Sequence, residues 1–361
     1  TGKTYLVLAS NNYLGFTHAP EVIEAASRAA LKFGTGSSGS RLTTGGTFIA
    51  SELEKRLADF KHSESALVFN TGYMTNLGVL YGLLQTGDVV FSDELNHASI
   101  IDGCRISRCK VVVYKHNDMA DLQRLLETEI VTGQRFIVTD GVFSMDGDIA
   151  DLPSLAVLKK QFNACLIVDD AHGVGVIGND GSGTASHYGL TDVIDLQVGT
   201  LSKALAAEGG YVAGKKILID YLINRSRPFI FSTALAPATL AAANAALLLL
   251  QTQASKYLDS LRANSRLMRR LLLEGGLNVV EGITPIIPVV IGEAGLTMQF
   301  ADRLKSKGIL VSGIRPPTVP RGESRLRITV TAAHCEEQLR QAAQIITALW
   351  QELKHGEKKE G

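Results

Sequence analysis

Between about Ser65 and Gly214, short and largely apolar runs alternate with stretches of helical spacing. The runs at 66–69, 89–91, 111–114, 136–138, 165–168 and 196–198 have the pattern of strands buried on both faces of a parallel sheet. Residues 74–84, 119–128 and 153–162 between them carry apolar positions at helical intervals, and Asp151 or Leu152 before Pro153 marks a helix start. Such alternation predicts an α/β domain with helices on both faces of a mainly parallel sheet. The region 237–274 reads as helical, and after it the pattern changes. Strands are expected at 286–291, 309–311 and 325–330, and helices at 297–307 and 336–354, which together make a smaller C-terminal α+β domain. The expected division is an N-terminal segment 1–45, a large domain 46–250 and a small domain 251–361, with a solvated tail at 355–361.

Charge narrows the classes of function. Lys+Arg and Asp+Glu each total 36, so no global basic field is available to hold a nucleic acid or an anionic membrane. The longest apolar stretch, 235–250, is alanine-rich and broken by Pro237, Thr239 and Asn244, which suits a buried helix and not a membrane span. Cys104, Cys109, Cys165 and Cys335 lack C-x-x-C spacing, so reduced cysteines, no metal site and a cytoplasmic setting are expected. The chain opens on Thr1 without methionine or a signal-peptide pattern while residues 5–8 already read as a strand, so further residues are expected upstream.

Two glycine motifs fit G-x-G-x-x-G. The first, Gly34, Gly36 and Gly39, follows a helical pattern where a dinucleotide fingerprint needs a strand. The second, Gly173, Gly175 and Gly178, follows a strand but runs into Asn179-Asp180-Gly181-Ser182-Gly183, which cannot open a helix. Neither context supports a nicotinamide or flavin site.

The chemistry collects where strands end. The strand at 196–198 exits into Gly199-Thr200-Leu201-Ser202-Lys203. Alone, Lys203 could be a solvated loop lysine, but a buried lysine there can form a Schiff base, with the Thr200 and Ser202 hydroxyls beside it for a phosphate. The strand at 165–168 ends in Asp169-Asp170-Ala171-His172, at the edge where open α/β sheets place ligands. Pyridoxal phosphate (PLP) needs an acid opposite its pyridine nitrogen, which makes Asp169 the candidate, and His172 could donate to the phenolic oxygen. Asn70-Thr71-Gly72-Tyr73 joins a strand to a helix, so the amides of Gly72 and Tyr73 suit the phosphate. His97, after the strand at 89–91, could stack on a flat cofactor ring.

These segments, together with Ser10-Asn11-Asn12-Tyr13-Leu14-Gly15, Gly39-Ser40-Arg41, Asn96-His97-Ala98-Ser99, Gly141-Val142-Phe143-Ser144-Met145-Asp146-Gly147-Asp148 and Arg325-Leu326-Arg327, resemble the motifs of the α-oxoamine synthase family, in that family's order. The resemblance covers essentially the whole chain. It implies a fold-type-I PLP-dependent transferase, a large domain with a mainly parallel seven-stranded sheet plus the smaller C-terminal domain, working as a homodimer. Carried over by motif position, Lys203 holds the cofactor, Asp169 pairs with its ring nitrogen and His97 stacks on it. Ser144 and His172 contact it, and Gly72, Tyr73, Thr200 and Ser202 serve its phosphate, with Ser232 or Thr233 reaching the partner's phosphate. Arg327, aided by Asn11, is expected to hold the amino-acid carboxylate, for which a guanidinium fork is suited. The segments 314–320 and 325–334 are most similar to the biotin-pathway branch, in which L-alanine condenses with a pimeloyl thioester on CoA or acyl carrier protein and CO2 leaves; Thr318 is then a substrate contact. A sister branch condensing glycine with an acetyl thioester, a PLP aminotransferase and a noncatalytic binding protein are the alternatives. The family pattern is broken at Ala206-Ala207, where relatives often carry glycine, and this bears on the local loop.

Overall fold

A computed structural model of the chain describes the backbone of residues 2–360 and the side chains of 2–354. Two compact units are formed, one of Phe16–Phe143 and Ile149–Ser255, the other of Thr1–Gly15, Ser144–Asp148 and Lys256–Gly361. This redraws the expected boundaries. Residues 1–15 belong with the C-terminal unit instead of an N-terminal segment, 16–45 belong with the larger unit, and the short piece 144–148 leaves the larger unit for the smaller one.

The larger unit is built on a seven-stranded sheet in the order Ser65–Phe69, Gly210–Gly214, Leu196–Thr200, Cys165–Asp169, Arg135–Asp140, Val89–Asp93 and Lys110–Tyr114. Alternate side chains feed two apolar clusters: Val90, Val138, Ile167 and Val198 lie in one, and Phe91, Ile137, Leu166 and Val168 in the other. Every strand read from the sequence is present, and Gly210–Gly214 adds one that was not read, antiparallel to both of its neighbours. The run at 111–114, expected to be buried, is an edge strand with Val111 38% and Val113 58% exposed. Helices start where short polar side chains can cap them: Thr71 opens Gly72–Leu83, Asp118 opens Met119–Thr128 and Asp151 opens Leu152–Gln161.

Pro237–Glu274 is two helices that meet at Gln253, whose backbone angles are not helical (φ −132°, ψ 28°). No helix among the described residues is long and apolar enough to cross a membrane.

In the smaller unit, Ser324–Thr329 is the centre of an antiparallel three-stranded sheet, flanked by Ser312–Ile314 and Ile286–Gly292. The single strand expected at 309–311 is divided: Ile309–Leu310 pairs in parallel with Leu6–Val7, while Ser312–Ile314 joins the other sheet. Leu8, Ile287, Val289, Leu326, Ile328, Leu339 and Ile346 form the core, with Phe300 stacked on Trp350 at 5.6 Å. The helix Glu336–Glu360 runs through most of the tail expected to be solvated and low in structure at 355–361, whose side chains lie outside the described residues.

Candidate active site

Four parallel strands of the larger unit finish at one edge with Asp93, Asp140, Asp169 and Thr200. Adjacent carboxylates repel in a poorly solvated place, so each needs donors. Asp169, 5% exposed, receives Asn76 Nδ2 at 2.6 Å and the Ala171 amide at 3.0 Å. Asn76 also donates to Ser99 Oγ at 2.9 Å, and Ser99 Oγ lies 2.7 Å from His97 Nδ1. A line of hydrogen bonds therefore runs from Asp169 through Asn76 and Ser99 to His97 and fixes the imidazole. His97 caps the helix Ala98–Ile106, and its backbone amide donates to Asp140 Oδ2 at 2.8 Å.

The electrostatics locate Lys203 in the same place. Burial, reinforced by the Lys203 charge and opposed by Asp169, holds the His97 imidazole below its usual 6.5, so the ring is neutral near pH 7. Burial and the Asp169 charge push the Asp140 carboxyl well above the usual carboxylate range, against the pull of the His97 amide and Lys203. One lysine charge thus acts on both groups.

The start of the helix Gly72–Leu83 lies against the end of the strand Leu196–Thr200. A Cβ on Gly72 would come 3.3 Å from Thr200 Cβ, and one on Gly210 would come 2.7 Å from Gly72 Cα. Glycine at 72 and 210 permits this approach. The Gly72 and Tyr73 amides open the helix and have no acceptor within it, and Thr200 Oγ1 lies 2.8 Å from Ser202 Oγ. Helix-start amides beside two hydroxyls suit a phosphate, and the buried acid, the fixed imidazole and the lysine stand at the same sheet edge. The residues suit PLP: Lys203, Asp169, His97, buried His172, Thr200, Ser202 and Gly72 are those that could hold it.

In the smaller unit two arginines share a face of the strand Ser324–Thr329, both nearly fully buried. Arg325 is neutralised, pairing with Asp146 and with Glu323 Oε2 at 3.0 Å. Among the described residues Arg327 meets neutral acceptors: the Ser144 carbonyl at 2.5 Å, Thr329 Oγ1 at 3.0 Å and Asn11 Oδ1 at 3.2 Å, with the Tyr13 phenol beside them. No carboxylate among the described residues pairs with it. Tyr13 lies nearby, fully buried; burial pushes its phenol up to about 12 although the Arg327 charge works the other way.

Other expected residues have more particular surroundings. The Tyr73 phenol donates to Asp102 Oδ2 at 2.5 Å on an exposed surface, so its backbone amide is the part left for a phosphate. Ser144 belongs to the smaller unit. Thr233 is exposed, and its carbonyl accepts from Asn70 Nδ2 at 2.7 Å. Thr318 is exposed on the turn after Ile314, with its amide on the Arg315 carbonyl at 3.1 Å. Asn76, Ser99 and Asp140 were missed as site residues from the sequence. Asn76 could have been found as a polar residue one turn into an otherwise apolar helix, and Ser99 as part of the Asn96-His97-Ala98-Ser99 segment.

Comparison with known proteins agrees with this geometry. The profile of the aminotransferase class I and II family matches residues 3–346. The 8-amino-7-oxononanoate synthase of Lysinibacillus sphaericus is 50% identical over 94% of this chain and 87% of its own length, and that of Geobacter sulfurreducens is 50% identical over 98% and 90%. Among solved structures, a lysine-to-alanine variant of serine palmitoyltransferase from S. paucimobilis with a bound PLP–myriocin aldimine superposes with a TM-score of 0.95 at 32% identity, covering 98% of this chain and 89% of that one. The 8-amino-7-oxononanoate synthase of Francisella tularensis gives 0.82 at 30% identity, covering 98% of both. With its lysine, acid and imidazole gathered at one sheet edge and these likenesses running nearly end to end, the chain belongs to the aminotransferase class I and II family, as a PLP-dependent α-oxoamine synthase.

Proposed function

We propose that this PLP-dependent acyltransferase condenses L-alanine with a pimeloyl thioester, on CoA or acyl carrier protein, giving 8-amino-7-oxononanoate, CO2 and the free thiol for biotin synthesis. The observation that carries the reading is Arg327, a buried guanidinium whose partners among the described residues are neutral, suited to an amino-acid carboxylate. Half-identical relatives bearing the name 8-amino-7-oxononanoate synthase support the choice of substrates.

Each residue has a task in this reading. Bound PLP supplies an electron sink conjugated to the α-carbon of the amino acid. Asp169 Oδ2, oriented by Asn76, holds the proton on the pyridine nitrogen. His97 lays a neutral ring on the cofactor face, and His172 donates to its phenolic oxygen. The amides of Gly72 and Tyr73 and the hydroxyls of Thr200 and Ser202 hold the phosphate. Lys203 Nζ carries the cofactor covalently at rest. Arg327, with Asn11, takes the carboxylate of the amino acid, and Ser144 and Thr318 are, on the family resemblance, further contacts to cofactor and substrate.

The working form is a homodimer. Phe33, Leu42, Phe48 and Phe231 are exposed on the larger unit and suit burial against a second copy, where Ser232 or Thr233 reaches the partner's phosphate site. The four free cysteines suit a reducing cytoplasm.

A thiol-release assay across alanine and glycine, each with pimeloyl and acetyl thioesters, tests the reading. Alanine with the pimeloyl thioester is expected to give the highest kcat/KM. Preference for glycine with acetyl-CoA points to a glycine C-acetyltransferase; conversion of the cofactor to its amine form without thiol release points to an aminotransferase. Failure to bind a chromophore leaves a noncatalytic protein.

A further inference from the structure

Asp169 and Asp170 are neighbours at the end of one strand and face different surroundings, as successive residues of an extended chain do. Asp169 meets Asn76. Asp170, 1% exposed, meets Lys61, which is 0% exposed: Nζ lies 3.0 Å from Asp170 Oδ2 and also donates to the Ser182 carbonyl. Thr184 completes the shell with its amide 3.0 Å from Asp170 Oδ2 and its hydroxyl 2.9 Å from Oδ1. Glycines wrap the carboxylate, because a Cβ on Gly173 or Gly183 would overlap it and one on Gly141 would come 2.8 Å from Oδ1. The second glycine motif of the sequence is thereby explained in part as packing around a buried ion pair. The amides of Gly173 and Val174 turn back onto the Asp170 carbonyl, and the Asp170 amide donates to Val198, so the turn bearing His172 is built on this residue.

A buried ion pair is expensive to desolvate, and an apolar pair of similar volume would hold two elements together as well. What this pair adds is direction. We propose that Lys61 is a positioning residue for the cofactor site: through Asp170 it fixes the turn that presents Asp169 and His172. The inference rests on the reading of those two residues as cofactor contacts. The charged and titratable groups around Asp170 are Lys61, Asp169, His172 and Tyr211, the last a buried phenol pushed well above its usual value by burial and then by the charges of Asp170 and Asp169.

The test titrates the full-length chain, freed of cofactor, with PLP across pH, reading the bound-cofactor absorbance. In Lys61→Met the buried Asp170 loses its cation and takes up a proton instead. PLP affinity is expected to fall about tenfold or more and to acquire a pH step that the wild type lacks. In the double variant Lys61→Met, Asp170→Asn, the new amide oxygen can still accept from the Thr184 amide and hydroxyl, with no charge to titrate. Its affinity is expected within about threefold of wild type, without the step. Wild-type affinity in Lys61→Met, or a double variant as weak as the single, overturns the inference; should Lys61→Met not fold, the double variant alone decides by the same standard. Asp169→Asn is the control. If it leaves cofactor affinity and spectrum unchanged, the reading of Asp169 fails and takes the inference with it, whereas a normal Lys61→Met beside an altered Asp169→Asn removes the inference alone.

Discussion

Replacing Arg327 with lysine tests the assignment of the amino-acid carboxylate. The side chain uses Nε on the Ser144 carbonyl, one terminal nitrogen on Thr329 and the other on Asn11, so its plane is held by three neutral acceptors. Lysine keeps the charge but has no planar fork, and it cannot serve those acceptors while also pairing with a carboxylate through two parallel bonds. Reducing a bidentate, charge-assisted contact to a single one removes about 1.5–3 kcal/mol, which predicts a KM for alanine about ten- to a hundredfold higher. The KM for the thioester is expected to move much less. Arg325→Lys is the comparison, because that guanidinium already pairs with Asp146 and Glu323; its cost is expected in thermal stability. Steady-state kinetics with each substrate varied in turn give the answer. An alanine-specific KM defect in Arg325→Lys, with Arg327→Lys normal, would refute the reasoning from neutral and charged partners.

Lys203→Ala is expected to abolish the covalent link to PLP and nearly all turnover while the fold persists; borohydride reduction of the wild type and peptide mapping check it, and labelling at another lysine contradicts it. Ala206 sits at φ 54° in the turn where its amide meets the Lys203 carbonyl and the Ala207 amide meets Leu201. An alanine there costs about 1–2 kcal/mol against roughly 0.5–1 for the extra freedom of glycine, so Ala206→Gly is expected to raise unfolding stability by about 0.5–1 kcal/mol in denaturant titrations. His334 takes the Thr331 amide on Nδ1 at 3.0 Å and faces the Val7 carbonyl with Nε2 at 3.2 Å, and burial lowers it below 6.5. A lowered folded value means that its contribution is present above about 6.5 and lost as pH falls through the folded value, by about 1.4 kcal/mol per unit of depression. His334→Asn keeps an acceptor for Thr331 without titrating, so the loss of stability between pH 7 and 5 is expected to shrink, though His97, also lowered, keeps a share of the same sign.

Much of the architecture was legible along the chain because strands covered on both faces must be apolar throughout, as at Cys165–Asp169, and helices with one buried face must repeat, as at Met119–Thr128. The lysine, acid and imidazole were legible for a related reason: parallel strands deliver their following loops to one edge, so a polar residue just past a buried run is placed before any contact is known. Direction and partnership were not local. Gly210–Gly214 is a short run bounded by glycine, and only its neighbours on both sides make it a strand and set it antiparallel. The apolar run Lys110–Tyr114 looked buried until the sheet ended there and left one side to solvent. Arg325 and Arg327 have the same residue type and the same strand face; Asp146 and Glu323, arriving from elsewhere, pair with Arg325, while among the described residues no carboxylate pairs with Arg327. Asp169 and Asp170 are likewise adjacent and chemically identical, and what separates them is that Asn76 stands opposite one and Lys61 opposite the other, the pairings of residues 93 and 109 positions apart. A sequence specifies which groups can ionise and hydrogen-bond, whereas the desolvation and the partner that decide what each group does exist only once distant segments have packed together.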